Sequence, residues 1–470
     1  MNRSTTRLMV LLAAAGLVGC ADADAPLAPA AAGPRPAAAL AEVDGNYLVR
    51  FNGDVPAGFR ERVAALGGSV IFVHGGAGIG AVAGLSPQAA AELGALPGVS
   101  AVAPNDATAL DMAAPAELVA PAELASAANP ASAQFFGMQW NLHAVGAPRA
   151  WAAGRLGSPA VRVAILDTGL DYRHPDLAGR VDLAASRSFV PSQDALLEAS
   201  FPGAHPVADI HYHGTMVGAT VSSNGILAAG VTSGVTLVGL KVCNLNGLCP
   251  VSGVLAAVTH AADLGVDVAN LSLGSFVLRR DSSAAGRVDG PAFVAIVNSA
   301  FTYAHRKGTT VVAAATNRAT NMDHDGSAFR TYCSAPNVIC VSATGPTAAA
   351  GPYGPYVNVD APAPYSNYGR SLISVAAPGG AAARVSAACS TFSLLFPGCR
   401  GGTGLLSASG TSLSAPHVAG AAALVAEDVG RDPSRIRTRL EQTADDLGHP
   451  GTDPFYGRGR LNVARAVGAN

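Results

Sequence analysis

Gly410-Thr411-Ser412-Leu413-Ser414-Ala415-Pro416-His417-Val418-Ala419-Gly420 opens a run of small apolar residues that continues to Val425. Read as a helix, this run is apolar on every side. A helix of that kind is buried all round, and it holds whatever sits at its start firmly in place. Ser412 sits there. The first backbone N–H groups of a helix have no partner within it, and that end favours developing negative charge. A serine hydroxyl is a poor nucleophile unless a base takes its proton, so the rest of the chain must supply one. Pro416 lies beyond the first helical position and removes a helix hydrogen bond. The plain alternative is a packing helix of small residues with no chemistry.

Upstream, strands alternate with helices. Val161 to Leu166, Val235 to Val242, Val266 to Leu273, Thr309 to Ala314 and Val338 to Val341 are apolar runs of strand length. Val251 to Leu264 and Pro291 to Lys307 have helical spacing. Such alternation predicts an α/β fold, a mostly parallel sheet with helices on both faces. Ligand sites in these sheets form at the carboxyl ends of the strands. Loops near 186–210, 276–290 and 346–365 read as surface insertions.

Three further stretches supply polar residues. Asp167-Thr168-Gly169 ends one strand, with Asp171-Tyr172-Arg173-His174-Pro175-Asp176-Leu177 behind it. His213-Gly214-Thr215 starts an apolar helix. The strand beginning at Thr309 is followed by Ala315-Thr316-Asn317, which brings an amide. In this order the motifs resemble the subtilase family of serine peptidases, over roughly residues 45 to 465. The resemblance implies that Ser412 attacks the scissile carbonyl and His213 is its base. Asp167 would orient the imidazole, and Asn317 with the Ser412 N–H would bind the oxyanion. It also implies that Ser272, Leu273 and Gly274 form one wall of the S1 pocket. Thr316 stands where the family usually has Gly, which questions specificity more than activity. Met216 replaces a second His, and Leu413-Ser414 replaces Met-Ala. An α/β-hydrolase esterase does not fit, because Ser414 breaks Gly-x-Ser-x-Gly and the triad order differs. A catalytically silent subtilase-fold envelope binding protein is the alternative from another class.

No cofactor is required for this chemistry. Many family members bind structural calcium, and Asp323 and Asp325 in an oxygen-rich turn are the weak candidates here. His205, His211 and His213 raise the question of zinc, but no third ligand stands at a convincing spacing.

The N-terminal part has its own organisation. Residues 1–19 read as a lipoprotein-type signal: Arg3 and Arg7, an apolar run from Leu8 to Val18, then Leu17-Val18-Gly19-Cys20. Cys20 is the expected lipidation site, which predicts an exported chain held at the envelope membrane or secreted after processing. Residues 20–44 read as a flexible tether. Residues 45–106 show a β-α-β-β-α-β order, a small ferredoxin-like α+β unit. This unit resembles the inhibitory propeptide of subtilases. Residues 107–133 read as a linker containing or preceding the processing site, and 134–470 as the catalytic domain.

Composition agrees. The chain has 470 residues, a formal net charge of −2, and 13% charged residues. Its only lysines are Lys241 and Lys307. There is no basic footprint for nucleic acid. The expected partners are polypeptide substrates, the chain's own propeptide and, through the lipid, a membrane; a monomer is expected. Export means an oxidising compartment, and Cys243, Cys249, Cys333, Cys340, Cys389 and Cys399 fall into three local pairs. Bridges 243–249, 333–340 and 389–399 are favoured, although counting alone leaves other connectivities open.

Overall fold

The computed structural model describes residues 45–110, 112–119, 129–274, 276–278, 290–325, 328–330 and 332–469. Residues 1–44, with the signal, the tether and Cys20, lie outside the described residues.

Strands β1 (Tyr47–Phe51), β2 (Ser69–His74), β3 (Ile79–Ala83) and β4 (Val99–Pro104) form an antiparallel sheet in the order β2-β3-β1-β4. Helices Phe59–Ala65 and Pro87–Gly94 complete the expected β-α-β-β-α-β order. The second helix starts as its sequence predicts: the Ser86 side chain accepts from the Ala89 N–H, and Pro87 follows. Period-two alternation divides the sheet between two cores. Val49, Phe51 and Val82 pack with Phe59, Val63 and Leu93 of the unit's own helices. Leu48, Ile79, Ala81 and Ala103 face the remainder of the chain.

That remainder is built on seven parallel strands. They are β7 (Arg162–Asp167), β8 (Arg187–Ser188), β9 (Thr236–Lys241), β11 (Val268–Leu271), β13 (Thr310–Ala314), β15 (Ile339–Thr344) and β18 (Val375–Pro378), in the order β18-β15-β13-β11-β7-β9-β8. Both faces are covered. Along β7, Val163 and Ile165 join the core that holds helices His213–Val221 and Thr411–Val429. Ala164 and Leu166 join the core that holds Val251–Leu264 and Gly290–Arg306. The remaining strands are β10 (Leu248–Pro250), β12 (Phe276–Leu278) paired with β14 (Ala328–Arg330), β16 (Ala348–Ala349) paired with β17 (Tyr356–Val357), β19 (Val385–Ala388) and β20 (Leu405–Ser409). Bridges join Cys243 to Cys249, Cys333 to Cys340 and Cys389 to Cys399, as favoured. Among the described residues, no helix is long and apolar enough to cross a membrane.

The N-terminal unit completes what the larger part leaves open. Helix Val251–Leu264 has Pro250 at its N-cap and no side-chain cap of its own. Its first amides are orphaned donors. Asn105 Oδ1 accepts from Ser252 N at 3.0 Å, and the Asp106 carbonyl accepts from Val251 N at 2.7 Å.

The segment read as a linker is not free chain where it is described. Residues β5 (Ala107–Ala109) pair antiparallel with β10, and β6 (Ala114–Val119) adds a third strand to β19 and β20. Small residues and proline suggested flexibility; edge strands offering unpaired backbone groups captured the segment instead. Residues 120–128 lie outside the described residues. The loop expected near 186–210 likewise contains a helix, Asp194–Ser200.

Gly420 lets the Thr411–Val429 helix touch the Val231 segment. A Cβ there would stand 2.7 Å from Val231 Cβ and 3.2 Å from the Val221 carbonyl oxygen. Gly→Ala in a helix normally stabilises by about 1 kcal/mol. Here we expect the opposite sign: Gly420→Ala should lower the urea midpoint, with an overpacking cost of roughly 1–3 kcal/mol.

Candidate active site

Ser412 is the second residue of its helix, and the Pro inside that helix shapes its surroundings. Residue 416 would ordinarily donate its N–H to the carbonyl of 412, and Pro has none. Ser272 Oγ donates to the Ser412 carbonyl instead, at 2.6 Å, and Asn270 Nδ2 donates to Ser272 Oγ at 2.9 Å. The residue just beyond β11 is therefore bonded to the residue that carries the hydroxyl.

Asp167 ends β7 and is fully buried. Its Oδ1 lies 2.7 Å from His213 Nδ1 and accepts from Thr168 N at 2.8 Å. His213 opens its helix and is also fully buried. Burial pushes its pKa down, but the Asp167 charge and hydrogen bond more than offset this. The net pKa lies above the ordinary 6.5. The short approach of these two segments depends on glycine: a Cβ on Gly214 would stand 2.1 Å from the Gly169 carbonyl oxygen.

Asn317 Oδ1 accepts from Thr411 N at 2.8 Å and from Thr411 Oγ1 at 2.9 Å. Its oxygen is thus committed, and its Nδ2 turns toward Ser412. A Cβ placed on Gly410 would lie 3.1 Å from Ser412 Oγ, 3.4 Å from Asn317 Nδ2 and 3.7 Å from Ala113 N. Hydroxyl, amide donor and a backbone nitrogen of the former linker surround one point.

That backbone crosses the site. Ala109 bridges Gly274 in antiparallel fashion, and Leu110 N donates to the Gly247 carbonyl at 2.8 Å. Beyond the serine, Ala113 N donates to the Ser409 carbonyl at 3.1 Å. Ser412 Oγ meets Met112 Sδ at 3.6 Å, and His213 Nε2 makes no hydrogen bond among the described residues. The sequence-derived wall of Ser272, Leu273 and Gly274 is where this segment pairs, with Ser272 and Leu273 buried. Thr316 lies next to Asn317, its Oγ1 accepting from Asn367 Nδ2 at 2.6 Å. Met216 and Leu413 are core residues.

Two buried groups beside the site were given no role from the sequence, although His417 belongs to the motif of Ser412. Asp209 accepts from Thr168 Oγ1, His211 N and Tyr212 N on one oxygen, and from Thr215 N and Thr215 Oγ1 on the other. Burial pushes its pKa up against these bonds. They fix the turn that delivers His213, in which Tyr212 has φ 152°. The available signal was an Asp four positions before a helix-starting His. His417 Nδ1 meets the Leu413 carbonyl at 2.7 Å and Nε2 meets Asn141 Nδ2 at 2.9 Å. Burial takes its pKa down to about 4, so it is a neutral brace.

The metal candidates are otherwise engaged. Asp323 accepts from Arg370 N and Ser371 N, and Asp325 pairs with Arg330 Nε at 2.8 Å. His211 Nδ1 accepts from His213 N, and its ring stacks on Tyr212. Burial and then His213 take its pKa down to about 3. Among the described residues no group of three His, Cys, Asp or Glu could hold a metal ion.

The model described as "Subtilase family" matches residues 158–459. Thermitase of Thermoactinomyces vulgaris is 32% identical over 333 residues, covering 71% of this chain and 97% of that protein. A thermophilic serine proteinase of Bacillus sp. (strain AK1) is 31% identical over 321 residues, covering 68% of this chain and 64% of that protein. Among solved structures, the epidermin leader peptide processing serine protease of Staphylococcus aureus superposes with a TM-score of 0.70 at 22% identity. The match covers 90% of this chain and 97% of that one. Fervidolysin from Fervidobacterium pennivorans gives 0.65 at 23% identity, covering 90% and 61%. At these identities the structures testify to the fold.

The raised pKa of His213 sets a pH dependence. A base must be neutral to accept a proton, so if His213 is the base, activity falls as pH drops through that pKa. With the cleft cleared, kcat/KM should show an acid limb at an apparent pKa above 6.5. Asp167→Asn should move the limb to lower pH and reduce kcat by roughly 10⁴-fold, the loss known for this change in an unrelated triad. A pH profile of amide hydrolysis checks both.

Proposed function

We propose that this chain, which belongs to the subtilase family and is a serine endopeptidase, works through Ser412 as nucleophile, His213 as general base and Asp167 as orienting carboxylate. The observation that carries the reading is the buried Asp167–His213 contact of 2.7 Å, and it is supported by Ser412 Oγ and Asn317 Nδ2 lying around one point at Gly410. Ser412 Oγ attacks the peptide carbonyl while His213 Nε2 takes its proton. Asp167 holds Nδ1–H and stabilises the imidazolium. The carbonyl oxygen becomes an oxyanion, met by Asn317 Nδ2 and the Ser412 N–H. His213 then gives its proton to the leaving amine, and water repeats the sequence on the acyl-enzyme. Loss of the Asn317 donor should cost about 10²–10³ in kcat, as measured for such a donor in another subtilase.

The chain is made as a zymogen in this reading. Residues 45–106 are the inhibitory unit, and the first polypeptide cut is its own. Support comes from both sides of the serine. Leu110 and Ala113 are each tied by a backbone bond to a different rim of the cleft, to Gly247 and Ser409. The bond midway between them joins residues 111 and 112, and Asp111 itself lies outside the described residues. The unit's capping of helix Val251–Leu264 explains how it stays seated before the cut. Export follows from the signal, with lipid at Cys20; a diacylated N-terminal Cys20 in the membrane fraction of an uncut variant would support it.

Ser412→Ala should accumulate full-length chain from which the parent is converted. N-terminal sequencing of the parent's larger product should read Met112-Ala113-Ala114. Unchanged processing of the alanine variant in a host lacking other proteases would defeat the zymogen reading. Labelling of Ser412 by a fluorophosphonate probe, once the cleft is cleared, separates a peptidase from a silent binding protein.

A further inference from the structure

We propose that Asn367 is the positioning residue for the oxyanion donor, and that Thr316 makes it necessary; this rests on Asn317 being that donor. The chain leaves β13 at Ala314 and must turn within a few residues to bring Asn317 beside Ser412. Two residues of this turn, Thr316 at φ 72° and Ala319 at φ 49°, lie in the left-handed region without being glycine. For a β-branched residue that is a genuine outlier, kept only when its surroundings over-determine it.

Asn367 supplies that determination. It is wholly buried. Its Nδ2 donates to the Ala315 carbonyl at 2.8 Å and to Thr316 Oγ1 at 2.6 Å. Its Oδ1 accepts from Arg318 N at 3.1 Å and Thr320 N at 3.0 Å. Its own N–H donates to the Thr316 carbonyl at 3.0 Å. An amide side chain has two donor hydrogens and one oxygen with two lone pairs, and all are spent on this one turn. The bonds reach residues 315, 316, 318 and 320, bracketing Asn317 from both sides. The pair 318 and 320 also straddles Ala319, the second left-handed residue. Asn317 Oδ1 is fastened at the far side by Thr411. The clamp therefore fixes the backbone while Thr411 fixes the side chain, whose Nδ2 lies with Ser412 Oγ around one point at Gly410. The Thr316 hydroxyl is itself a clamp point, which a glycine in that position could not offer.

The experiment is a double-mutant cycle on processed enzyme with a peptide amide substrate. Variants that cut themselves slowly are matured by affinity-tagged wild type, which is then removed. Asn367→Ala should lower kcat at least tenfold with KM within about twofold, because a donor used only in the transition state is lost. In an Asn317→Ala background the same change should cost less than about twofold. In a Thr316→Gly background its cost should shrink, since glycine holds φ 72° unaided. Equal losses in the wild-type and Asn317→Ala backgrounds, or a loss carried by KM, would overturn the inference and leave Asn367 a stabilising residue only. If Asn367→Ala does not fold, Thr316→Val, which replaces the hydroxyl by a methyl group, is put through the first two backgrounds and judged by the same comparison. Should Asn317→Ala alone leave kcat intact, the donor assignment itself fails, a result distinct from a failure of the clamp.

Discussion

A helix with no polar side has to be enclosed, and most of this architecture follows from enclosing Thr411–Val429. From Thr411 to Ala426 every residue is buried. Strands from one side of the sheet, the His213–Val221 helix and the Val231 segment surround it. Enclosure requires neighbours small enough to approach, hence Gly420 against Val231. It also requires a sheet wide enough to span the helix, hence parallel strands with a helix layer on each face. The benefit is rigidity at the helix start, where Ser412 stands.

The proline in that helix turns a local defect into a long-range tie. Because Pro416 offers no N–H, the Ser412 carbonyl accepts from Ser272, and the residue just beyond β11 is bonded directly to the start of the buried helix. The same economy recurs nearby. Asn317 uses its oxygen on the backbone and hydroxyl of Thr411. Asp209 uses both oxygens to fix the turn before His213, whose own carboxylate partner is Asp167. Buried polar groups at the site therefore hold backbone and one another, as Asp209 does with Thr168 and Thr215.

Much of this was legible in the sequence, for physical reasons. Strands such as Arg162–Asp167 are apolar on both faces, so they appear as unbroken runs. Helix Val251–Leu264 matches its expected limits because Pro250 and Gly265 bound it. The positions of Asp167, His213 and Ser412 at element ends followed from the strand and helix limits, and Asn317, in the turn three residues past β13, from the resemblance. What escaped notice is what depends on distant partners. Val385–Ala388 and Leu405–Ser409 are short, Ala- and Ser-rich strands whose pairing with Ala114–Val119 no local pattern announces. Asp209 gave little signal, because its work is done on backbone amides. Thr316 was visible as a departure, but its compensation lies 51 residues away in Asn367.

The strands β5 and β6 stand on opposite sides of Ser412, and they differ in what holds them. The first continues backward into the N-terminal unit. The second continues forward into the body of the enzyme. Severing the chain between them would release one and leave the other leashed beside the cleft. Its local concentration would then be set by chain length rather than by the surrounding solution. In that sense a cut there would make the new amino terminus a resident of the cleft it leaves behind.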